Sequence, residues 1–235
     1  MAKITTKLLL AASPLPLGLI TLPLVHAARY QTGHLASAMA GWMLLLLLAQ
    51  SATVIMAGSL CRNYRQRGAT VAISVLATAM SPALACAMRM MTVMVLLHGL
   101  AVFAAWAIFC VGLVCVLRVW SVTPSVAAGL IITTMMIFSP IVLTPIFLMM
   151  QKLGIHWPWT VSFAINMSPA MWMIGALATG IHYNWFIWFH APVMYQHIVL
   201  GQNTLMPTLW PWWIPCAGAA GVGAIAAVAP SLQSR

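Results

Sequence analysis

Long apolar runs follow one another along this chain, and no polar domain separates them. A helix needs about 20 consecutive apolar residues to cross the hydrocarbon core of a bilayer, and several runs approach this length. Only 4% of the 235 residues are charged and 63% are hydrophobic, whereas a soluble domain carries roughly a quarter charged residues. The sequence therefore predicts an all-α fold, a polytopic integral membrane helical bundle.

We expect about six spans in a single transmembrane domain that covers residues 1–235. The predicted spans are 8–27, 35–60, 69–88, 91–117, 125–150 and 211–228. Residues 157–200 are rich in Trp, His and Tyr, which indicates interfacial or re-entrant helices on the outer side, with 170–181 as a candidate for one further span. Residues 8–27 fit a retained first helix or a cleaved signal peptide. Residues 69–88 fit a span or an amphipathic segment at the cytoplasmic face.

The ten basic residues predict the orientation of these spans. Loops rich in Lys and Arg stay in the cytoplasm, and such arginines also suit anchors that reach anionic lipid headgroups. Six spans with a cytoplasmic N-terminus place Arg29, Arg89 and Lys152 outside. The cytoplasmic set is then Lys3, Lys7, Arg62, Arg65, Arg67, Arg118 and Arg235. We expect a multi-pass protein of a bacterial inner (plasma) membrane.

No aspartate or glutamate occurs in the chain. This excludes paired-carboxylate hydrolysis, a carboxylate-oriented histidine triad, a carboxylate-held divalent cation and an Asp/Glu proton relay. No G-x-x-x-x-G-K-[ST] loop is present to bind ATP phosphates, and the five cysteines lack metal-ligand spacing and suit small core residues. The net charge of +10 is scattered and forms no nucleic-acid-binding face. We expect no catalytic residue and no cofactor.

Two short motifs resemble those of the permease subunits of type-2 ABC exporters. That family has a cytoplasmic coupling helix of the form E-R-x-x-G-T-x-x-x-L-x-x-x-P-x-S after the second span. Residues 63–70 read Asn-Tyr-Arg-Gln-Arg-Gly-Ala-Thr and run on to Ser81-Pro82, with Arg89 in place of the family's next basic residue. The family's Asn-Pro turn after the fifth span is similar to residues 166–169, Asn-Met-Ser-Pro. The chain lacks the family's coupling glutamate and its first amphipathic helix.

The resemblance implies a permease that forms the route for a lipid, a peptide or another amphipathic substrate. It implies a separate nucleotide-binding ATPase subunit as partner and a homo- or heterodimer of permeases. The residues expected to couple to the ATPase are Arg62, Arg65, Gln66, Arg67 and Gly68. The outer re-entrant segment would contain Asn166, Ser168 and Pro169. Reversing the charge of Arg65 and Arg67 is expected to weaken ATPase association and leave membrane insertion intact.

Histidines and methionines support alternative hypotheses. A haem- or quinone-binding subunit of a redox complex would need two histidines at matching depth, and His26 and His98 both fall near the outer leaflet. Met88, Met91 and Met94 recur every third residue and are candidate Cu(I) ligands, although methionine is also a common packing residue. A structural subunit of a larger membrane complex is the third alternative. An ATPase partner, a haem spectrum or co-purification with a large complex distinguishes these hypotheses.

Overall fold

The described part of the protein is helical. The structure, a computed structural model, describes residues 2–32, 35–61, 63–118, 122–139, 149, 153, 166–170, 172–173 and 212–232. Within these residues lie seven helices and no strand. The helices are α1 (Ala2–Ala12), α2 (Pro14–Thr32), α3 (Leu35–Ser59), α4 (Tyr64–Ala87), α5 (Val93–Leu117), α6 (Val122–Ile137) and α7 (Trp213–Leu232). The predicted all-α class is confirmed.

Four stretches of helix are long and apolar enough to cross a membrane. They are Leu9–Ala27, Gly41–Ser59, Tyr64–Ala87 and Val93–Leu117, and α6 and α7 contain shorter apolar stretches. Large apolar side chains project outward from the bundle, as at Ile20 (72% exposed) and Ile225 (73% exposed). Lipid tails are as apolar as these side chains and solvate them. The protein is therefore a multi-pass membrane protein.

The first apolar run forms two helices. α1 ends at Ala12 and α2 begins at Pro14, and Ser13 Oγ donates to the carbonyl of Leu10 at 2.8 Å. A residue before proline avoids the α-helical region, and proline has no N–H to bond to the preceding turn. Proline is well tolerated as the first residue of a helix, so the run is interrupted at Ser13 and resumes at once.

Residues 69–88, for which two alternatives were open, lie almost entirely within one longer helix. Asn63 caps the N-terminus of α4, and its side-chain oxygen accepts a hydrogen bond from Gln66 N–H at 3.0 Å. This bond satisfies one of the free donors of the first turn. α4 then continues through Pro82 to Ala87. Of the two alternatives, the structure has the span-length helix, and it starts early enough to include the basic residues 65 and 67.

The helices alternate in direction across the bundle. The facing residues that fix these directions are Thr21–Trp42 and Gly18–Leu46 (α2 and α3), Cys61–Thr70 (α3 and α4), Ser51–Trp106 and Gly58–Val111 (α3 and α5), Leu117–Ser125 and Val114–Gly129 (α5 and α6), and Ala101–Cys216 and Phe109–Gly223 (α5 and α7). α3, α5 and α7 therefore end at the same end of the bundle. α4 and α6 begin at that end, and α2 runs in their direction.

α5 lies at the centre of the core. It packs against α3, α4 and α6, and its largest described interface is with α7. Trp106, near the middle of α5, is fully buried; its ring meets Trp172 edge-on at 6.0 Å and stacks on Phe109 at 5.0 Å. All five cysteines are free thiols, and four of them are buried, as expected of small packing residues.

Several predictions concern residues that the structure does not describe. Arg62 lies outside the described residues, and so does most of the second half of the predicted span 125–150. Of the segment 157–200, only residues 166–170 and 172–173 are described. These parts of the sequence analysis stay predictions.

The C-terminus of α4 closes with a left-handed residue. Arg89 has a φ of 56°, Met90 N–H donates to Ala85 O, and Arg89 N–H donates to Cys86 O, both at 2.9 Å. This pattern is a Schellman motif, in which glycine usually occupies the left-handed position because it has no Cβ. Arg89 therefore carries a backbone cost of about 1 kcal/mol.

Replacing Arg89 with glycine is expected to stabilise the protein. Removal of the Cβ relieves the left-handed backbone, so the thermal midpoint in detergent should rise by about 2–4 °C. Arg89→Ala is the matched control, because it removes the same charge and keeps the Cβ. An equal rise for both variants would show that the charge, and not the backbone, was the cause.

Candidate functional site

The residues predicted to couple to a partner lie in the first turns of α4. Because Asn63 caps this helix, Arg65, Gln66, Arg67 and Gly68 point in successive directions around its axis, about 100° apart. Neighbouring residues on a helix do not share a face. Arg65 and Gly68, three residues apart, lie on the exposed side of α4, whereas Arg67 is buried. The residues that the sequence analysis placed in one contact surface therefore do not all share one face.

Arg65 is the exposed cation of this group. Its Nε donates to the hydroxyl of the adjacent Tyr64 at 3.3 Å, and its guanidinium lies 5.9 Å from the centre of the Tyr64 ring. Both side chains are exposed. The aromatic ring holds the cation at the surface without neutralising it, so Arg65 is available to an anionic group on a partner or on a lipid.

Arg67 is only 5% exposed and faces the interior. Its Nη1 donates to the backbone carbonyl of Ala227, near the end of α7. Its Nε has no partner among the described residues. The expectation that Arg67 contacts a partner subunit stays a prediction, and in the structure α7 covers this side chain and binds its guanidinium.

Arg118 contacts the end of α3, whereas Arg67 contacts α7 within its last two turns. Its guanidinium donates to the carbonyls of Cys61 and, at 2.9 Å, Ser59, where α3 ends. The last carbonyls of a helix lack intrahelical partners and form the negative end of the helix dipole, so a cation there is favourable. With Lys7, which donates to Gln66 Oε1 at 3.3 Å, these contacts define what we name the basic end.

The basic end comprises the described cations Lys7, Arg65, Arg67 and Arg118. Arg89 lies at the opposite end of the bundle, where α4 stops. Three helices finish at or beside the basic end, so backbone carbonyls supply there the negative charge that acidic side chains would otherwise supply. Successive spans cross the bundle in opposite directions, so the two ends of α4 lie at opposite ends of the bundle, with Arg65 and Arg67 at one and Arg89 at the other.

A polar face runs along α4 from the basic end into the bundle. Its residues recur at spacings of three and four and therefore share one side of the helix. They are Arg67, Thr70, Ser74, Thr78 and Ser81, and all are at most 5% exposed. We name this set the polar face of α4. In a membrane bundle, buried polar residues on one helix side mark an interface or a route more often than a lipid-facing surface.

The threonines of the polar face bond to groups nearby. Thr78 Oγ1 donates to Ser74 O at 2.7 Å, and Thr70 Oγ1 donates to Gln66 O at 2.9 Å. The Cys61 thiol lies 3.3 Å from Thr70 Oγ1. The two serine hydroxyls have no partner among the described residues. The two threonines are therefore satisfied, whereas the two serine hydroxyls and Arg67 Nε are not paired by the described residues.

Gln50 is a buried polar residue that sequence reasoning missed. It lies in α3, is fully buried, and neither its Oε1 nor its Nε2 has a partner among the described residues. The available signal was an amide residue two positions after the leucine run Leu44–Leu48. A polar side chain within a predicted span is rare and functional by default.

The predicted outer turn is partly described. Ser168 Oγ donates to Ile137 O at 2.8 Å, which attaches the turn to the end of α6. Trp172 Nε1 donates to Asn166 O at 2.6 Å, and its ring is buried against the core. Pro169 is helical and buried. This turn lies at the end opposite the basic end, and it positions the buried Trp172 in the bundle.

The two candidate haem ligands lie on different helices at different depths. His98, in α5, packs its ring on Trp212 with centroids 5.0 Å apart, and its Nδ1 has no partner among the described residues. His26 lies in α2 and is half-buried. Measured along α3, which faces both helices, the two positions differ by about 7–10 Å. The register does not favour one haem between them. Among the described residues, no group of three or more His or Cys could hold a metal ion.

No protein-family model, curated protein or solved structure gives a significant match to this chain. The candidate site consequently rests on its own geometry. One exposed cation and one buried polar face lie on the same helix, α4, and two arginines fix the helix ends around it.

Proposed function

We propose that the chain is the membrane-spanning permease subunit of an ATP-driven exporter. The observation that carries the proposal is the continuity of α4 from the exposed Arg65 to the buried polar face. One rigid element therefore joins a surface that can bind a partner to polar groups inside the membrane. A partner that moves the basic end also moves the polar face.

Helix geometry makes this coupling direct. α4 has 24 residues, about 36 Å of helix at 1.5 Å per residue. It packs against α1, α2, α3 and α5, so tilting or rotating it would change every interface around the polar face. Packed helical interfaces switch between discrete arrangements instead of deforming continuously. Alternating access of a route beside this face is the motion we propose.

The basic end is proposed to face the cytoplasm. Of the cations whose side chains the structure describes, four lie at that end and Arg89 lies at the other, a bias that follows the positive-inside rule. A cytoplasmic basic end exposes Arg65 to the compartment that holds ATP. Substrate would then leave at the end that carries the Asn166–Pro169 turn, outside the bacterial plasma membrane.

The energy must come from another subunit. The sequence contains no phosphate-binding loop and no side-chain carboxylate to hold Mg²⁺. We therefore propose a separate phosphate-loop ATPase at the basic end and a second permease that completes the route. The substrate class is a lipid, a peptide or another amphipathic molecule.

The proposal is tested by purifying the tagged chain in mild detergent, identifying its partners and recording an absorption spectrum of the same sample. A stoichiometric phosphate-loop ATPase without a chromophore is the expected result. Respiratory subunits or a haem spectrum would contradict the proposal. His26 and His98 would then be the first candidate haem ligands to replace. A large complex without an ATPase would indicate the structural alternative.

Reversing the exposed charge is expected to weaken the complex. Arg65→Glu should lower the amount of co-purified ATPase by about 10-fold, equivalent to about 1.4 kcal/mol, because it repels an acidic partner surface. The control is Arg89→Glu, which makes the same charge change at an exposed residue of the opposite end. Equal ATPase recovery with Arg65→Glu and with the unmodified chain would refute the assignment of Arg65.

A further inference from the structure

Three buried polar side chains lie where α3 packs against α4. Gln50, Ser74 and Ser81 are each 0% exposed. Neither Gln50 Oε1 nor Gln50 Nε2 has a hydrogen-bond partner in the described part of the chain, and the same is true of the two serine hydroxyls. Almost all buried polar side-chain atoms in proteins are paired. Four unpaired atoms in one region therefore need an explanation.

The register of the helices places these residues at the same interface. Ser81 of α4 and Leu46 of α3 both face Gly18 of α2, whereas Cys61, two residues after the end of α3, faces Thr70 of α4. Because α3 and α4 are antiparallel, Gln50 then lies opposite the turn of α4 between Ser74 and Ser81. Around α3, position 50 lies between position 46, which faces α2, and position 51, which faces α5. Because α4 packs against α2, α3 and α5, Gln50 points to the α4 side.

We propose that Gln50, Ser74 and Ser81 form an internal water-binding site between α2, α3 and α4. The amide offers two donors and two acceptor lone pairs, and each hydroxyl offers a donor and two lone pairs. A buried water typically makes about three hydrogen bonds to otherwise unsatisfied polar groups. Water between the amide and the hydroxyls joins atoms that do not reach one another directly.

The chemistry of the groups selects a small neutral occupant. A bound cation would be expected to use carboxylates, and the chain has none. An anion would be drawn to a guanidinium, but Arg67 lies two turns of α4 nearer the basic end than Ser74 and is bonded to Ala227 O. Water molecules, which are neutral and both donate and accept, can satisfy the amide and the hydroxyls in turn along the interface. This inference does not depend on the exporter proposal.

The sign of a stability change tests the site. Gln50→Met keeps the length of the side chain and removes both polar atoms. If water bridges the site, this variant loses its hydrogen bonds and the thermal midpoint falls by a few degrees. Ser74→Ala should then cost less in the Gln50→Met background than in the native chain, because both residues hold the same water. A dry site predicts the opposite, since replacing an unpaired buried amide with an apolar group stabilises.

Chemical access gives a second measurement on the full chain in detergent. Ser74→Cys should react with the small neutral reagent methyl methanethiosulfonate, and mass spectrometry of the peptides locates the labelled thiol. Cys110 is the internal control, because it is equally buried and packs in the apolar core. Labelling of Cys110 should be at least several-fold slower. A rise in the midpoint of Gln50→Met, or labelling at position 74 no faster than at Cys110, overturns the proposal.

Discussion

Replacing Gly223 with alanine is expected to force α7 away from α5 and to destabilise the protein by about 3 kcal/mol or more. A Cβ at this position would lie 2.5 Å from Phe109 Cα and 2.6 Å from Ile108 O. Both are backbone atoms of α5, so no change of side-chain rotamer can relieve the clash. A whole helix must shift to admit one methyl group.

The cost is large because this contact is the centre of the most extensive described interface. Gly112 of α5 faces Gly223 of α7, and a Cβ on Gly112 would meet the Gly223 carbonyl. Between membrane helices the lipid supplies no hydrophobic driving force, so close backbone packing through small residues holds the pair together. The two glycines allow that approach from both sides.

The measurement is thermal unfolding in detergent, followed by the fraction of protein that elutes as a single species. Gly221→Ala is the matched control, because it adds the same methyl group to the same helix where nothing lies within 4 Å. We expect the control to change stability by less than about 0.5 kcal/mol. Equal midpoints for the two variants would show that α5 and α7 do not pack through Gly223.

Reversing the charge of Arg67 is expected to prevent stable folding, at a cost of about 3–5 kcal/mol. Glutamate at this buried position would place a carboxylate against the carbonyl of Ala227, at the negative end of α7. The repulsion replaces a charge-assisted hydrogen bond. The variant should be recovered mainly as aggregate, with a lowered midpoint for any monodisperse fraction.

Arg65→Glu is the matched control for Arg67→Glu. It makes the same change of charge two residues away, on an exposed side chain, and should leave the midpoint within about 0.5 kcal/mol of the native value. Native stability of Arg67→Glu would contradict the contact with α7. A double reversal of Arg65 and Arg67 would therefore confuse lost folding with lost coupling, and only the Arg65 variant tests the partner surface.

Much of the helical fold can be predicted from the sequence. Lipid offers no hydrogen-bond partners, so the backbone must form its hydrogen bonds within each helix. The runs 35–60 and 91–117 match α3 and α5 within two residues, since apolar length alone decides them. The boundaries of the first and third runs differ for local reasons. Pro14 splits the first, and the Asn63 cap starts α4 five residues before the predicted 69.

The candidate site was less predictable, because burial depends on residues distant in the sequence. Nothing in Arg65-Gln66-Arg67 says which arginine faces outward. That is decided by α7, which supplies the acceptor at Ala227, 160 residues away. The polar spacing of Thr70, Ser74 and Ser81 was visible in the sequence, but the opposing Gln50 belongs to another helix. Only the packing of α3 against α4 brings the two sets together.

The arginine contacts at the ends of α3 and α7 should respond to low pH differently from ordinary ion pairs. Acid commonly unfolds proteins by protonating carboxylates that hold native contacts. Arg67 and Arg118 are instead held by peptide carbonyls, which take up no proton in that range, and the chain has no carboxylate side chain to lose its charge. The helix contacts that these arginines make at the basic end should therefore persist in acid that breaks ordinary ion pairs by protonating their carboxylates.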